Sequence, residues 1–75
     1  MAEVTAKDIL FDVRKALASS SVFALREIHV ESVGDALFLS GQVSSFYHKQ
    51  LAQELVRALA QGIEVMNSIR VCQEE

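Results

Sequence analysis

The sequence predicts a small α+β domain of order αββαβ, a three-stranded sheet with two helices packed on one face. Three observations carry that prediction. Two segments repeat apolar residues at helical spacing: Ile9, Val13, Ala16 and Leu17 in the first, Leu51, Leu55, Ala58 and Leu59 in the second. Between them, two short stretches flank the turn residues Val33-Gly34-Asp35, as the strands of a hairpin do. A last stretch, residues 63–72, places Ile69 and Val71 on one side and Ser68, Arg70 and Cys72 on the other.

Each element has its own local signals. Thr5-Ala6-Lys7-Asp8 reads as a capping box with Asp8 in the place usual for Glu, so the first helix starts there. Ser19-Ser20-Ser21 ends it, because serine competes with the helical backbone for hydrogen bonds. Val22, Phe23 and Leu25 are too apolar for an open linker and are expected under the core. Ile28-His29-Val30-Glu31 alternates as a half-buried strand. Residues 36–42 form its hairpin partner, with Gly41 marking a bulge or a close backbone approach.

Ser44 or Ser45 caps the long second helix, which runs to about residue 61, where Gly62 supplies a left-handed end. Ala52 and Val56 flank its expected buried stripe, and Lys49, Gln50, Gln53, Glu54 and Arg57 take the wet side. The crossover from the second strand to the third is expected to be right-handed. Both helices then lie on one sheet face and the other face is open.

Composition narrows the function. Seventy-five residues make one domain, 1–75, with its core over about 5–72, and a chain this short buries only about 60% of its unfolded surface. The 51% hydrophobic content supplies an aliphatic core but leaves no room for a deep small-molecule pocket, so no small-molecule substrate and no cofactor are expected. Ten acidic against seven scattered basic residues give a net charge of -3, which argues against nucleic acid. His29, His48 and the single Cys72 lack the paired local spacing of a metal site. They also lack the nucleophile–base pairing of an enzyme. The first twelve residues show no signal peptide. That places the chain in the cytoplasm if it is full length, or in the periplasm or envelope if it is excised from a larger exported protein.

Taken in order, several segments are similar to those of the BON domain, a bacterial module of osmotic-shock and nodulation-related proteins. They are Val13-Arg14-Lys15-Ala16-Leu17, Ile28-His29-Val30, the stretch Leu37-Phe38-Leu39-Ser40-Gly41-Gln42-Val43-Ser44-Ser45, Lys49-Gln50-Leu51-Ala52 and Val65-Met66-Asn67-Ser68-Ile69-Arg70-Val71. The resemblance covers about residues 7–71, and the stretch from Leu37 to Ser45 is its most specific part. It implies a non-enzymatic module that binds phospholipid surfaces or mediates association. Two departures stand out: Phe46-Tyr47-His48 follows Ser45 where acidic residues are expected, and the spacing from Gly62 to Val65 is one residue short.

The candidate binding residues are therefore Phe46, Tyr47, His48, Phe38 and Phe11. Phe11 shares a helix side with Lys7 and Lys15, Phe38 points to the open sheet face, and Phe46 aligns with Gln50, Gln53 and Arg57. Tyr47 aligns with Leu51 and Leu55 and is expected to extend the buried stripe. The alternative for Phe11 and Phe46 is that they fold back over the edges of the core. The leading functional expectation is protein association, with itself or with a partner, through these aromatics and an open sheet face or edge. The second is peripheral binding to phospholipid, which the negative charge disfavours on anionic leaflets.

Overall fold

The computed structural model describes residues 5–72. Met1 to Val4, where the segment read as lacking a signal peptide begins, and Gln73 to Glu75 lie outside the described residues. Helix α1 (Ala6–Ala18) is followed by a 3-10 turn (Phe23–Glu27), then strands β1 (His29–Val33), β2 (Ala36–Ser40) and β3 (Gln42–Val43). Helix α2 (Phe46–Leu59) leads to β4 (Glu64–Asn67) and β5 (Arg70–Val71). The α+β class and the αββαβ order are as expected, with the second and third strands each broken once.

The α1 start is the expected capping box: the Asp8 N–H donates to Thr5 Oγ1 (3.2 Å) and the Thr5 N–H donates to an Asp8 carboxylate oxygen (3.1 Å). Ser45, not Ser44, caps α2, its Oγ accepting from the His48 N–H at 3.2 Å. Helix α2 ends two residues earlier than expected, at Leu59, and Gly62 takes a φ of 83° just beyond it. Gly34, at φ 59°, opens the two-residue turn between the paired Val33 and Ala36, the first-position glycine that a tight hairpin turn uses.

Strand β1 runs antiparallel to β2, and β2 runs parallel to β4, so the sheet order is β1-β2-β4 with β2 central. Both strand breaks have one cause. Gly41 sits at φ 125°, and a Cβ there would lie 3.3 Å from the Glu27 carbonyl oxygen and 3.5 Å from Ile28 Cα. The chain entering β1 thus crosses Gly41 closely, the close approach expected at that glycine. The parallel ladder survives the crossing. Ala36 faces Glu64 before it and Gln42 faces Arg70 after it, at the same sequence offset, while the Arg70 N–H donates to the Gly41 carbonyl at 2.9 Å.

The core lies between the inner sheet face and both helices. Leu37, Leu39, Val13 and Val56 are fully buried, together with Leu17, Val30, Ala52 and Ile69. Two expectations fail here. The innermost line of α2 is Ala52, Val56 and Ala60, with Leu51 and Leu55 half-buried beside it, Ala58 exposed and Leu59 39% exposed. Small side chains let the helix axis approach the sheet closely, and the leucines then flank the contact on one side. On the same rotation, Lys49 and Gln53, expected on the wet side, become half-buried.

Phe23 is the second correction: expected in the core, it is 73% exposed. The segment is a 3-10 turn, in which residues three apart eclipse. Leu25 and Ile28 therefore point inward together, and Phe23 and Arg26 point outward together. The Arg26 guanidinium lies 4.4 Å from the centre of the Phe23 ring, a cation–π contact.

Candidate functional site

The structure places the five candidate residues in three separate regions. Phe46, Tyr47 and His48 form the first turn of α2. Phe46 is 70% and Tyr47 67% exposed, so Phe46 does not fold back over the core and Tyr47 does not extend the buried stripe. The rotation of α2 onto Ala52, Val56 and Ala60 turns Tyr47 outward along with Gln50 and Glu54. Neither aromatic is explained by packing within the domain.

His48 is different. It is half-buried, its Nδ1 lies 3.0 Å from Ser45 Oγ, and its ring is tilted against Tyr47 with centroids 5.7 Å apart. It occupies the position at which a capping box would put an acid. The imidazole does not complete a box, whose carboxylate would accept from the Ser45 backbone N–H; it meets the serine hydroxyl instead. The turn has no acidic side chain at all.

Phe38 lies on the outer sheet face, half-buried, between the fully buried Leu37 and Leu39. Register puts it in a cross-strand row with Glu31 and Met66, next to a row of Val33, Ala36 and Glu64. Neither described helix covers this face, and Val33 and Met66 are 53% and 40% exposed on it. Phe11 is 71% exposed on α1, away from both other regions. Asp8, Ile9 and Asp12 line one depression with Ala58, Leu59 and Gln61, so the start of α1 lies beside the end of α2. Phe11, near the middle of α1, is therefore not brought together with Phe46 at the start of α2.

Sequence reasoning missed Phe23. It lines a depression with Ala24, Val43, Ser44 and Cys72, which sets it at the same end of the domain as Phe46. The signal that could have found it is the spacing of Val22, Leu25 and Ile28, a period of three that fits a 3-10 turn and leaves Phe23 outside.

Among the described residues, no group of three His, Cys, Asp or Glu side chains stands close enough to hold a metal ion. Cys72 is half-buried and unpaired. No described helix is long and apolar enough to cross a membrane.

No curated protein and no solved structure matches the chain. The family model of the BON domain matches residues 5–73, nearly the whole of it. The match spans both helices, every strand and the crossing at Gly41. On that match, and on a fold with the expected order of elements, the chain belongs to the BON domain family, whose members are binding modules.

Proposed function

We propose that this chain is a non-catalytic association module whose main contact surface is the aromatic start of α2. The observation that carries the reading is the pair Phe46 and Tyr47, each about two-thirds exposed or more in a helix first turn. That position favours acids, which complement the exposed amide groups by roughly 0.3–1 kcal/mol each. The chain forgoes that stabilisation and displays two large aromatic surfaces instead. Burying one such side chain against a partner is worth roughly 1.5–3 kcal/mol. Phe23, exposed at the same end, enlarges the surface. The outer sheet face with Phe38, Val33 and Met66 is a second contact region.

The test is Phe46→Glu. The mutant should keep the parent's thermal melt, or exceed it slightly, because it restores an acid to the first turn. In sedimentation velocity it should lose the association that the parent shows with itself or with a partner. Unfolding of the mutant would make Phe46 part of the core. An intact fold with unchanged association would make it a merely solvated aromatic.

A second reading, peripheral binding to phospholipid, draws on one observation. Lys7, Phe11 and Lys15 stand one helical turn apart, all exposed, on α1. Asp8 and Asp12 share that exposed surface and offset the lysines. The reading would take first place if the protein bound anionic vesicles tightly and binding weakened as salt rose.

A further inference from the structure

The outer edge of β1 carries an arrangement that meets the proposed aromatic surface only at Phe23, whose ring Arg26 covers. A depression of about 490 Å³ runs along it, lined by Arg14 from α1, Arg26 from the 3-10 turn, and His29, Val30, Glu31 and Ser40 from the strands. Both guanidiniums are anchored at Nε. Arg14 donates from Nε to the Val30 carbonyl at 3.2 Å, and Arg26 donates from Nε to the Ser20 carbonyl at 2.7 Å while lying over the Phe23 ring. A guanidinium has five N–H donors, so anchoring Nε leaves the four on its two Nη groups for another partner. Among the described residues, neither arginine is paired with a carboxylate.

The strand adds a donor. Arg14 reaches the Val30 carbonyl because that residue's backbone groups turn away from β2, and its N–H points the same way as its C=O. Two arginines thus face a single carboxylate, Glu31, a local excess of positive charge in a domain of net charge -3.

We propose that this edge is an oxyanion site that takes one phosphate monoester group. The free Nη groups of Arg14 and Arg26 would hold it, with the Val30 amide, His29 and Ser40 at its margin. The number of forks favours phosphate over carboxylate. A carboxylate is satisfied by one guanidinium, whereas a phosphate monoester offers three terminal oxygens and a charge that two guanidiniums balance. Because each arginine is already held by a carbonyl, less side-chain freedom is lost when the ligand arrives. A nucleic-acid backbone fits poorly, since it needs a continuous basic stripe and the other lysines and arginines are scattered along the chain.

The same chemistry is presented by a soluble phosphate monoester and by a monoester lipid headgroup, and the experiment separates them. Inorganic phosphate and glycerol phosphate are titrated into the ¹⁵N-labelled protein at constant ionic strength, with sodium chloride and acetate as controls. Phosphatidylcholine vesicles with and without phosphatidic acid form the second arm. The expected result is a saturable shift of the Val30 amide and both arginine Nε–H signals with phosphate, absent with chloride and acetate. Arg14→Gln and Arg26→Gln should each weaken binding about tenfold or more, the scale of one lost charge-assisted contact. Arg26→Lys, which keeps the charge and loses the fork, should also weaken it while the thermal melt shows an intact fold. Binding of soluble phosphate alone identifies a soluble ligand; arginine-dependent binding to the phosphatidic acid vesicles identifies a headgroup. Equal shifts with acetate or chloride, binding untouched in the folded arginine variants, or no binding in either arm would overturn the proposal.

Discussion

The side-chain amide of Asn67 donates to Gln53 Oε1 at 3.1 Å, tying the end of β4 to the middle of α2. The same Nδ2 reaches the Lys49 carbonyl at 3.2 Å, and Asn67 Oδ1 accepts from the Ile69 N–H at 3.1 Å. One side chain therefore fastens the helix to the sheet and bridges the break between β4 and β5. The break itself is forced by the crossing at Gly41 on the neighbouring strand.

Asn67→Ala is expected to destabilise the domain by about 1–3 kcal/mol, because it leaves the Ile69 N–H without a partner and removes both ties to α2. Gln53→Ala should cost less, since Asn67 keeps its bonds to Lys49 and Ile69. Urea denaturation midpoints of the two variants check the order. Equal midpoints would show that the Lys49 and Ile69 contacts add nothing.

Gly41→Ala should be the most damaging glycine substitution. It places a methyl group 3.3 Å from the Glu27 carbonyl oxygen in a backbone conformation that costs about 1–3 kcal/mol for a residue with a side chain. At Gly34 the same change meets nothing within 4 Å and carries only the left-handed penalty of about 1–2 kcal/mol. Thermal melts of both variants give the comparison. A Gly41 variant as stable as the Gly34 variant would mean that β1 can withdraw from the crossing at no cost.

The rotation of α2 makes a similar contrast. Val56 is fully buried and Leu55 half-buried, so Val56→Ala should cost about 2 kcal/mol, near the value for two buried methyl groups. Leu55→Ala removes more atoms and should nonetheless cost no more. Chemical denaturation that ranks Leu55 clearly above Val56 would restore the stripe expected from the leucines.

The parts of the fold that were legible in the sequence are those set by local chemistry. Thr5 with Asp8, Ser45, Gly34, Gly41 and Gly62 each announce a cap, a turn or a close approach through their own side chain or its absence. The rotation of α2 was not legible, because Leu51, Leu55 and Leu59 have the same four-residue spacing as Ala52, Val56 and Ala60. Hydrophobicity favours the leucines, while the distance between helix and sheet favours the smaller residues. Phe23 was misread because a helical or extended linker would bury it and a 3-10 period of three does not. Of the candidate residues, the outward placement of Phe38 follows from strand alternation alone. The separation of Phe11 from Phe46 depends on how two helices distant in sequence lie side by side, which no local pattern encodes.

If the start of α2 is a contact surface, site-specific photo-crosslinking from Phe46 captures whatever docks on it. Phe46 is replaced by benzoylphenylalanine in the full chain. The same group is placed at Gln61, exposed beyond the far end of the helix, as the control. Irradiation should give a discrete crosslinked species, to a second copy or to a partner, from position 46 and none from position 61. No crosslink from position 46, or equal crosslinking from both, would mean that the start of α2 is not a contact surface.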